Sequence, residues 1–201
     1  MKNILKLTLV VLLFVSCKDA NKSKGMESVM DEIVGNNDAV NEKYNLLLKE
    51  LGTKTPLTDT QLKEAFPKKL SHLNLDASDD NKVEPRIIDN QLVAGSFGDD
   101  TIRVEILDAA AQKAVGAIIP LKMLELNKVT SENNNTIRYT KQKHNGILTF
   151  GTDRDADTKA DFQSEIRFLF KNRFYVTLEG KKMTTDQLWE AFDINSLKSF
   201  K

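Results

Sequence analysis

The sequence contains few of the residues and motifs by which the function of a protein is usually recognised. The 201 residues hold one cysteine, two histidines and one tryptophan, and 29 basic residues balance 29 acidic ones. This balance argues against nucleic acid as a partner. A chain of this length with 40% hydrophobic residues can bury one core but is too short for two comfortable domains. We therefore expect one globular domain with appendages.

Long apolar runs are also missing. The run at residues 9–15 is less than half of the roughly 20 apolar residues that a helix needs to cross a bilayer. It lies between a basic start, Met1-Lys2-Asn3, and the small Ser16 that directly precedes Cys17, and these are the parts of a secretory signal. We predict a signal peptide at residues 1–16 that is removed and does not serve as a membrane anchor.

The segment Leu13-Phe14-Val15-Ser16-Cys17 resembles the lipobox of bacterial lipoproteins, in which a peptidase cuts before a cysteine that carries diacylglycerol. Ser16 and Cys17 match that pattern, whereas Phe14 stands where leucine is usual. The resemblance implies lipid on Cys17, and lipidation would also account for the lone thiol of an exported protein. Two or three acyl chains make such anchoring effectively permanent. An ordinary secreted protein with a stray thiol is the alternative.

The residues that follow the cysteine bear on localisation. Lys18, not aspartate, follows Cys17, which by resemblance to the enteric sorting rule gives no signal for retention in the inner membrane. Lys18-Asp19 also resembles the Lys-plus-acidic stretch that directs Bacteroidetes lipoproteins to the cell surface, although Ala20 interrupts the acidic run. We expect the outer membrane and leave the periplasmic or surface leaflet open.

The mature chain divides into three predicted segments. Residues 17–25 contain no large apolar side chain beyond the cysteine and predict a lipidated flexible tether. Residues 26–70 predict a helical segment, because apolar residues recur at helical spacing and a capping box begins at Thr58. We expect the apolar stripe of this segment to pack on its own domain. A stalk that pairs with a helix of a partner protein is the alternative. Residues 71–201 predict an α+β domain, with an irregular crossing at 71–90.

Hairpin signals dominate residues 71–201. Asn145-Gly146 supplies the positive φ angles of a type I′ turn, and further turns are predicted at Gly98-Asp99-Asp100 and Lys171-Asn172. A helix with a kink or break at Pro120 is expected within residues 109–124, and a second capping box begins at Thr184. The strand aromatics are assigned to the core: Phe168, Phe170 and Phe174.

This pattern predicts an α+β fold: an antiparallel sheet of about six strands built from hairpins, with helices packed on one face, preceded by N-terminal amphipathic helices. Residues 172–197 also resemble a recurring ending of uncharacterised exported bacterial proteins. That ending has an Asn-Arg-Phe hairpin arm, then Glu-Gly, then a capped helix and a leucine-containing tail. The resemblance implies an exported α+β domain and brings no known activity.

One acidic loop has the spacing of a calcium site. Four aspartates occupy positions 1, 3, 5 and 9 of such a loop: Asp153, Asp155, Asp157 and Asp161. Thr158 stands where a calcium loop needs glycine, and Ser164 stands where it needs a bidentate glutamate. We therefore predict a solvated loop of turn-forming aspartates and no metal, with calcium as the alternative.

Catalytic patterns are scarce as well. No Gly-x-Ser-x-Gly elbow occurs, and with Cys17 assigned to lipid no Cys-His nucleophile is available. A Ser-His-Asp arrangement stays open, because its members need not be neighbours in sequence. It would require His72 or His144 within hydrogen-bond reach of an acid and a hydroxyl in a cleft.

From these observations we predict a membrane-anchored envelope lipoprotein that is not an enzyme, needs no cofactor and serves as a binding or scaffolding module. Its expected partners are the membrane, through lipid on Cys17, and an envelope protein. A small or apolar ligand held between sheet and helices is the first alternative, and a hydrolase is the second.

Overall fold

A computed structural model of the chain describes residues 37–78, 81–127, 136–155 and 160–201. The span Asn37–Lys201 forms one compact unit. The predicted signal peptide, Cys17, the tether and residues 26–36 of the predicted helical segment lie outside the described residues. The rest of that segment belongs to the same unit as the sheet, so the boundary drawn at residue 70 does not separate two structural units.

The described residues contain four α-helices: α1 (Asp38–Gly52), α2 (Asp59–Ala65), α3 (Ala114–Leu126) and α4 (Thr185–Phe192). Both predicted capping boxes are confirmed. The hydroxyls of Thr58 and Thr184 each accept the backbone N–H three residues later at 3.3 Å, and the glutamine at that position accepts the threonine's own N–H at 2.9 Å. The predicted helix around Pro120 forms too, and it continues past the proline to Leu126.

Nine strands are described: β1 (Lys69–Leu70), β2 (Leu73–Asn74), β3 (Arg86–Asp89), β4 (Leu92–Phe97), β5 (Ile102–Asp108), β6 (Ile137–His144), β7 (Ile147–Arg154), β8 (Ser164–Phe170) and β9 (Phe174–Gly180). Strands β3 to β9 form an open antiparallel sheet in the order β3-β4-β5-β9-β8-β7-β6, and β1 pairs with β2 separately. The predicted α+β class is confirmed, with seven strands in the main sheet.

The additional strand is β3, which lies in the stretch that we predicted to be an irregular crossing. Its sequence, Arg-Ile-Ile-Asp, does not alternate between apolar and polar residues, and three of its four residues are exposed. Its pairing with β4 also contains a register shift between Ile87 and Asp89. The strand forms because the turn at Asn90 and Gln91 folds it back onto the edge of β4, and neither its own sequence nor that turn has the usual hairpin signal.

The predicted turns have the required backbone. Asn145 and Gly146 have φ angles of 51° and 82°, and Lys171 and Asn172 have 50° and 54°. Positive φ at both central residues defines a type I′ turn, whose twist matches that of the strands it joins. These two turns produce the β6–β7 and β8–β9 hairpins.

Helices pack on both faces of the sheet, which corrects the expectation that they lie on one. α2 and α4 cover the face that carries the fully buried Phe168 and Phe174. α1 and α3 cover one end of the opposite face, where Leu107, Leu169 and Tyr175 are apolar as well. At this end of the sheet, strand residues that face away from α2 and α4 are therefore apolar too. The helices α1 and α3 shield them from water. Phe168 and Phe174 confirm the core assignment, and Phe170 is half-buried.

Candidate ligand-binding groove

A groove opens beside the C-terminal end of α3, over strands β6, β7 and β8. Its volume is about 510 Å³, which lies within the roughly 300–1,000 Å³ of typical ligand sites. The lining residues that matter for its chemistry are Leu124, Ile137, Phe150, Thr152, Arg154 and Arg167, with Glu165 beneath them. The groove lies between the sheet and a helix. A protein that holds a small or apolar ligand between sheet and helices, our first alternative, requires a cavity at such a place.

One wall of the groove is apolar. Leu124 reaches it from α3, Ile137 from the start of β6, and Phe150 from the middle of β7. Phe150 is 7% exposed and belongs to the core beneath α1 and α3. The wall is therefore an extension of that core toward solvent.

The floor of the groove is charged. The carboxylate of Glu165, a residue only 9% exposed, lies 2.6 Å from Nε of Arg167 and 3.6 Å from Nη2 of Arg154. In the part of the chain that the structure describes, Glu165 is the only side chain that pairs with either guanidinium. The Arg154 and Arg167 side chains are 27% and 40% exposed. Most of their N–H donors thus face the groove unused.

The charged floor continues onto β9 and β5. Glu179 lies directly opposite Glu165 in the β8–β9 register, and like charges in such a position repel each other. Burial raises the pKa of Glu179 above its ordinary value, while Arg103, 3.5 Å away, opposes the rise. The arginines on this face are therefore needed to hold the two glutamates together.

The end of α3 is held in place by Lys141 of β6. Its ammonium donates to the carbonyl oxygens of Glu125 and Asn127 at 2.6 and 3.2 Å, which satisfies acceptors that a helix C-terminus leaves free. Lys141 is thus occupied, although it lines the groove.

α1 holds the same end of α3 from the other side. The hydroxyl of Tyr44 donates to the Glu125 carboxylate at 2.6 Å, and the Lys43 ammonium lies at 2.6 Å from the same oxygen. Burial, followed by the hydrogen bond to Glu125, raises the pKa of Tyr44 far above its ordinary value, so the phenol stays protonated and donates. The apolar wall of the groove is in this way built on a fixed helix end.

A second groove, of about 540 Å³, lies over β3, β4 and β5. Its charged groups are largely engaged with one another: Asp76 accepts the backbone N–H groups of Asp99 and Asp100 at 3.0 and 2.8 Å, and Asp100 accepts the Ser96 hydroxyl at 2.7 Å. These bonds close the Gly98-Asp99-Asp100 turn. Of the two grooves, the one beside α3 therefore has more side-chain N–H donors that are left without a protein acceptor among the described residues.

The two histidines do not assemble the arrangement that a hydrolase needs. The ring of His144 stacks on that of Trp189, with 4.7 Å between ring centroids, and His72 is exposed in the β1–β2 turn. Within residues 37–78, 81–127, 136–155 and 160–201, neither histidine is hydrogen-bonded to a carboxylate or hydroxyl. His144 instead covers an aromatic of α4.

The acidic loop is only partly described, and Asp157 lies outside the described residues. Asp153 is occupied: it accepts the backbone N–H of Thr185 at 2.7 Å and pairs with Arg138 at 2.6 Å. It thereby holds the first turn of α4, where a negative charge is favourable. Asp155 and Asp161 are exposed. The described residues contain no group of three or more histidines, cysteines, aspartates or glutamates placed to hold a metal ion.

Arg154 and Arg167 were not singled out from the sequence. Arg154 is hidden among the loop aspartates, and Arg167 belongs to the polar face of β8, where a solvated side chain is the normal expectation. The only available signal was a change along one face of β8, where the charged Glu165 and Arg167 are followed by the apolar Leu169. That change marks where the cover of α1 and α3 begins.

The fold and groove together define a class: a mixed α+β domain with an open antiparallel sheet and one face only half covered by helices. Comparison of the chain with protein-family models, curated proteins and solved structures finds no match. Among the described helices, none has the length and apolar character to cross a bilayer. The groove bears on function more directly than the fold does, since a fold class by itself does not imply an activity.

Proposed function

We propose that this chain is a lipid-anchored lipoprotein of the bacterial envelope, and that its α+β domain is a non-enzymatic binding module whose binding site is the groove beside α3. The observation that carries the binding role is the pair of guanidinium groups, Arg154 and Arg167, facing a cavity with unused donors next to an apolar wall. The N–H donors that the ion pairs with Glu165 leave open can form charge-assisted hydrogen bonds with a ligand.

The sequence around Cys17 supports the proposed localisation at the membrane. A lipid anchor at residue 17 leaves residues 18–36 between the membrane and the compact unit that begins at Asn37. In this arrangement the groove acts near the outer membrane. An envelope protein stays a predicted partner, and crosslinking on intact cells would test it.

Replacing Cys17 by serine is expected to release the protein from membranes, because the thiol is the attachment point of the acyl chains and each buried methylene contributes about 0.8 kcal/mol. The measurement is fractionation of cells that express the full chain, followed by immunoblotting of the membrane pellet and the soluble fraction. Ser23→Ala, in the same tether, is the matched control and should stay in the pellet. A Cys17→Ser protein that sediments with membranes would contradict the anchor.

The groove is expected to bind Nile red, a neutral apolar dye, with a saturable rise in fluorescence. The chain from residue 18 onward, which contains the whole compact unit, is the protein to use. Thr152→Trp fills the floor of the groove and should abolish the signal. Gln142→Trp, exposed on the opposite face of the sheet at β6, should leave it unchanged. Wild-type protein that gives no saturable signal, or an equal signal from Thr152→Trp, would show that the groove is not a binding site.

A further inference from the structure

We infer that the groove takes a small amphiphilic anion, a molecule with one carboxylate or phosphate head and an apolar body. The inference rests on the proposed function of the groove and adds the chemical class of its ligand. It depends on which charges at the floor are already paired and on where the apolar wall lies relative to them.

The charges that line the groove leave a surplus of positive charge. Lys141, Arg154 and Arg167 are cationic, and Glu165 is the only anionic residue of the lining. The Lys141 ammonium is directed at the carbonyl oxygens that end α3. Glu165 balances one of the two guanidinium groups. Glu179, the next carboxylate on this face, lies outside the lining and pairs with Arg103 at 3.5 Å, so the lining itself keeps a surplus of positive charge.

The geometry of the ion pairs leaves the right donors open. Glu165 occupies Nε of Arg167 at 2.6 Å, so both terminal nitrogens of that guanidinium are available. Its distance of 3.6 Å from Arg154 is longer than a hydrogen bond, so Arg154 keeps its donors. A guanidinium presents two parallel N–H groups that match the two oxygens of a carboxylate or phosphate. The hydroxyl of Thr152, directly opposite Glu165 in register, lies on the same face.

The apolar wall begins beside this head site. Phe150 pairs directly with Arg167 across β7 and β8, so its ring and the guanidinium are cross-strand neighbours on one face. Leu124 and Ile137 continue the wall. A ligand whose anionic group sits on the arginines therefore places its body against phenylalanine, leucine and isoleucine side chains.

Other ligand classes fit less well. A cationic head would meet the surplus positive charge at the floor. A neutral alcohol would gain from the apolar wall, but its single neutral oxygen cannot take the two parallel N–H groups of a guanidinium as a carboxylate or phosphate does, and it brings no charge to balance the arginines. The head group of the ligand thus decides the affinity, and the apolar wall limits the size of the ligand's apolar body.

Four probes with one chain length test the inference: decanoate, decyl phosphate, 1-decanol and decyltrimethylammonium. The three charged probes are used below their micellar concentrations and 1-decanol below its solubility limit. Titration calorimetry with the chain from residue 18 onward measures binding. We expect one or both anions to bind with 1:1 stoichiometry and 1-decanol to bind about tenfold or more weakly than the better anion. The cation should bind no better than the alcohol. A preference between the two anions then identifies the head as carboxylate or phosphate.

Arg154→Gln is the main variant, because its long ion pair can be removed without taking a close partner from Glu165. It should reduce binding of the better anion about tenfold and leave 1-decanol unchanged. Lys143→Gln, exposed near the end of β6 on the same face of the sheet but outside the lining of this groove, is the matched control and should bind like the wild type. Arg167→Gln is a second variant, used once its melting temperature shows that it folds.

Two outcomes would overturn the inference, and they differ in what they leave standing. If 1-decanol or the cation binds as tightly as both anions, and Arg154→Gln changes nothing, the ligand class is wrong while the groove stays a binding site. If none of the four probes binds and Nile red also fails, the proposed binding function itself is wrong.

Discussion

Asp108→Ala is expected to lower the free energy of unfolding by about 3–5 kcal/mol, because it breaks a buried ion pair and leaves one charge without its partner. The Asp108 side chain is fully buried, and its carboxylate accepts from Nε and Nη2 of Arg173 at 2.7 and 2.8 Å. It also accepts the backbone N–H of Leu57 at 2.7 Å. Arg173 in turn donates to the carbonyl of Thr55 at 3.0 Å.

These bonds join three distant parts of the chain: the connection between α1 and α2, the end of β5 and the start of β9. The carboxylate therefore holds α1 and α2 to the sheet, and its loss should loosen both. Urea denaturation, followed by circular dichroism, measures the effect as a lower transition midpoint with little change in slope.

Asp89→Ala is the matched control for this prediction. Asp89 pairs with Lys113 at 2.6 Å, but its side chain is 62% exposed, and exposed pairs of this kind contribute little to stability. Asp108→Asn, which keeps one acceptor oxygen, should fall between the two. Equal midpoints for Asp108→Ala and Asp89→Ala would refute the structural role of the buried pair.

Phe168→Ala is the second variant with a large expected effect, a loss of about 3–5 kcal/mol from the free energy of unfolding. Phe168 is fully buried at the centre of β8, and its ring centroid lies 5.4 Å from that of Trp189 and 6.1 Å from that of Phe192. Removing the ring leaves a cavity between the sheet and α4, which the surrounding side chains can fill only in part.

Differential scanning calorimetry should show a melting temperature lower by roughly 6–20 °C for such a loss in a chain of this size. The emission of Trp189, the only tryptophan of the sequence, should shift as well, since its neighbour is removed. Leu46→Ala, at a leucine of α1 that is 62% exposed, is the control and should change stability by no more than about 0.5 kcal/mol. A Phe168→Ala protein with the stability of the control would mean that this core does not hold α4 to the sheet.

Local structure was largely predictable, because the residues that decide it are neighbours in the chain. The two capping boxes depend on a threonine and on the glutamine three residues later. The Asn145-Gly146 turn depends on two residues that tolerate positive φ. Strands β5 and β9 alternate between buried and half-buried residues, and residues 102–106 of β5 alternate in the same way between apolar and charged. Leu107 and Asp108 break that sequence pattern. Strand β3 lacks such a pattern and was missed.

The candidate site was predictable only in outline. The sequence favoured a ligand between sheet and helices as one alternative, but it did not indicate which residues would line the cavity. Arg154 and Arg167 meet around Glu165 because β7 and β8 pair in one particular register, with Thr152 opposite Glu165. A shift of one residue would turn Arg167 to the other face, so no local pattern could place these groups together.

The amino-acid sequence by itself determined the Asn145-Gly146 and Lys171-Asn172 turns, the two helix starts at Thr58 and Thr184, the α+β class and the inward aromatics Phe168 and Phe174. Each of these depends on a few consecutive residues or on their alternation. The predicted signal peptide and lipidation at Cys17 come from the sequence alone and await the fractionation experiment. Only the tertiary structure decided that β9 lies between β5 and β8, that helices cover both faces, and that a groove stays open beside α3. These features depend on residues far apart in the chain, as with Asp108 and Arg173, and such contacts form only when the whole core is assembled.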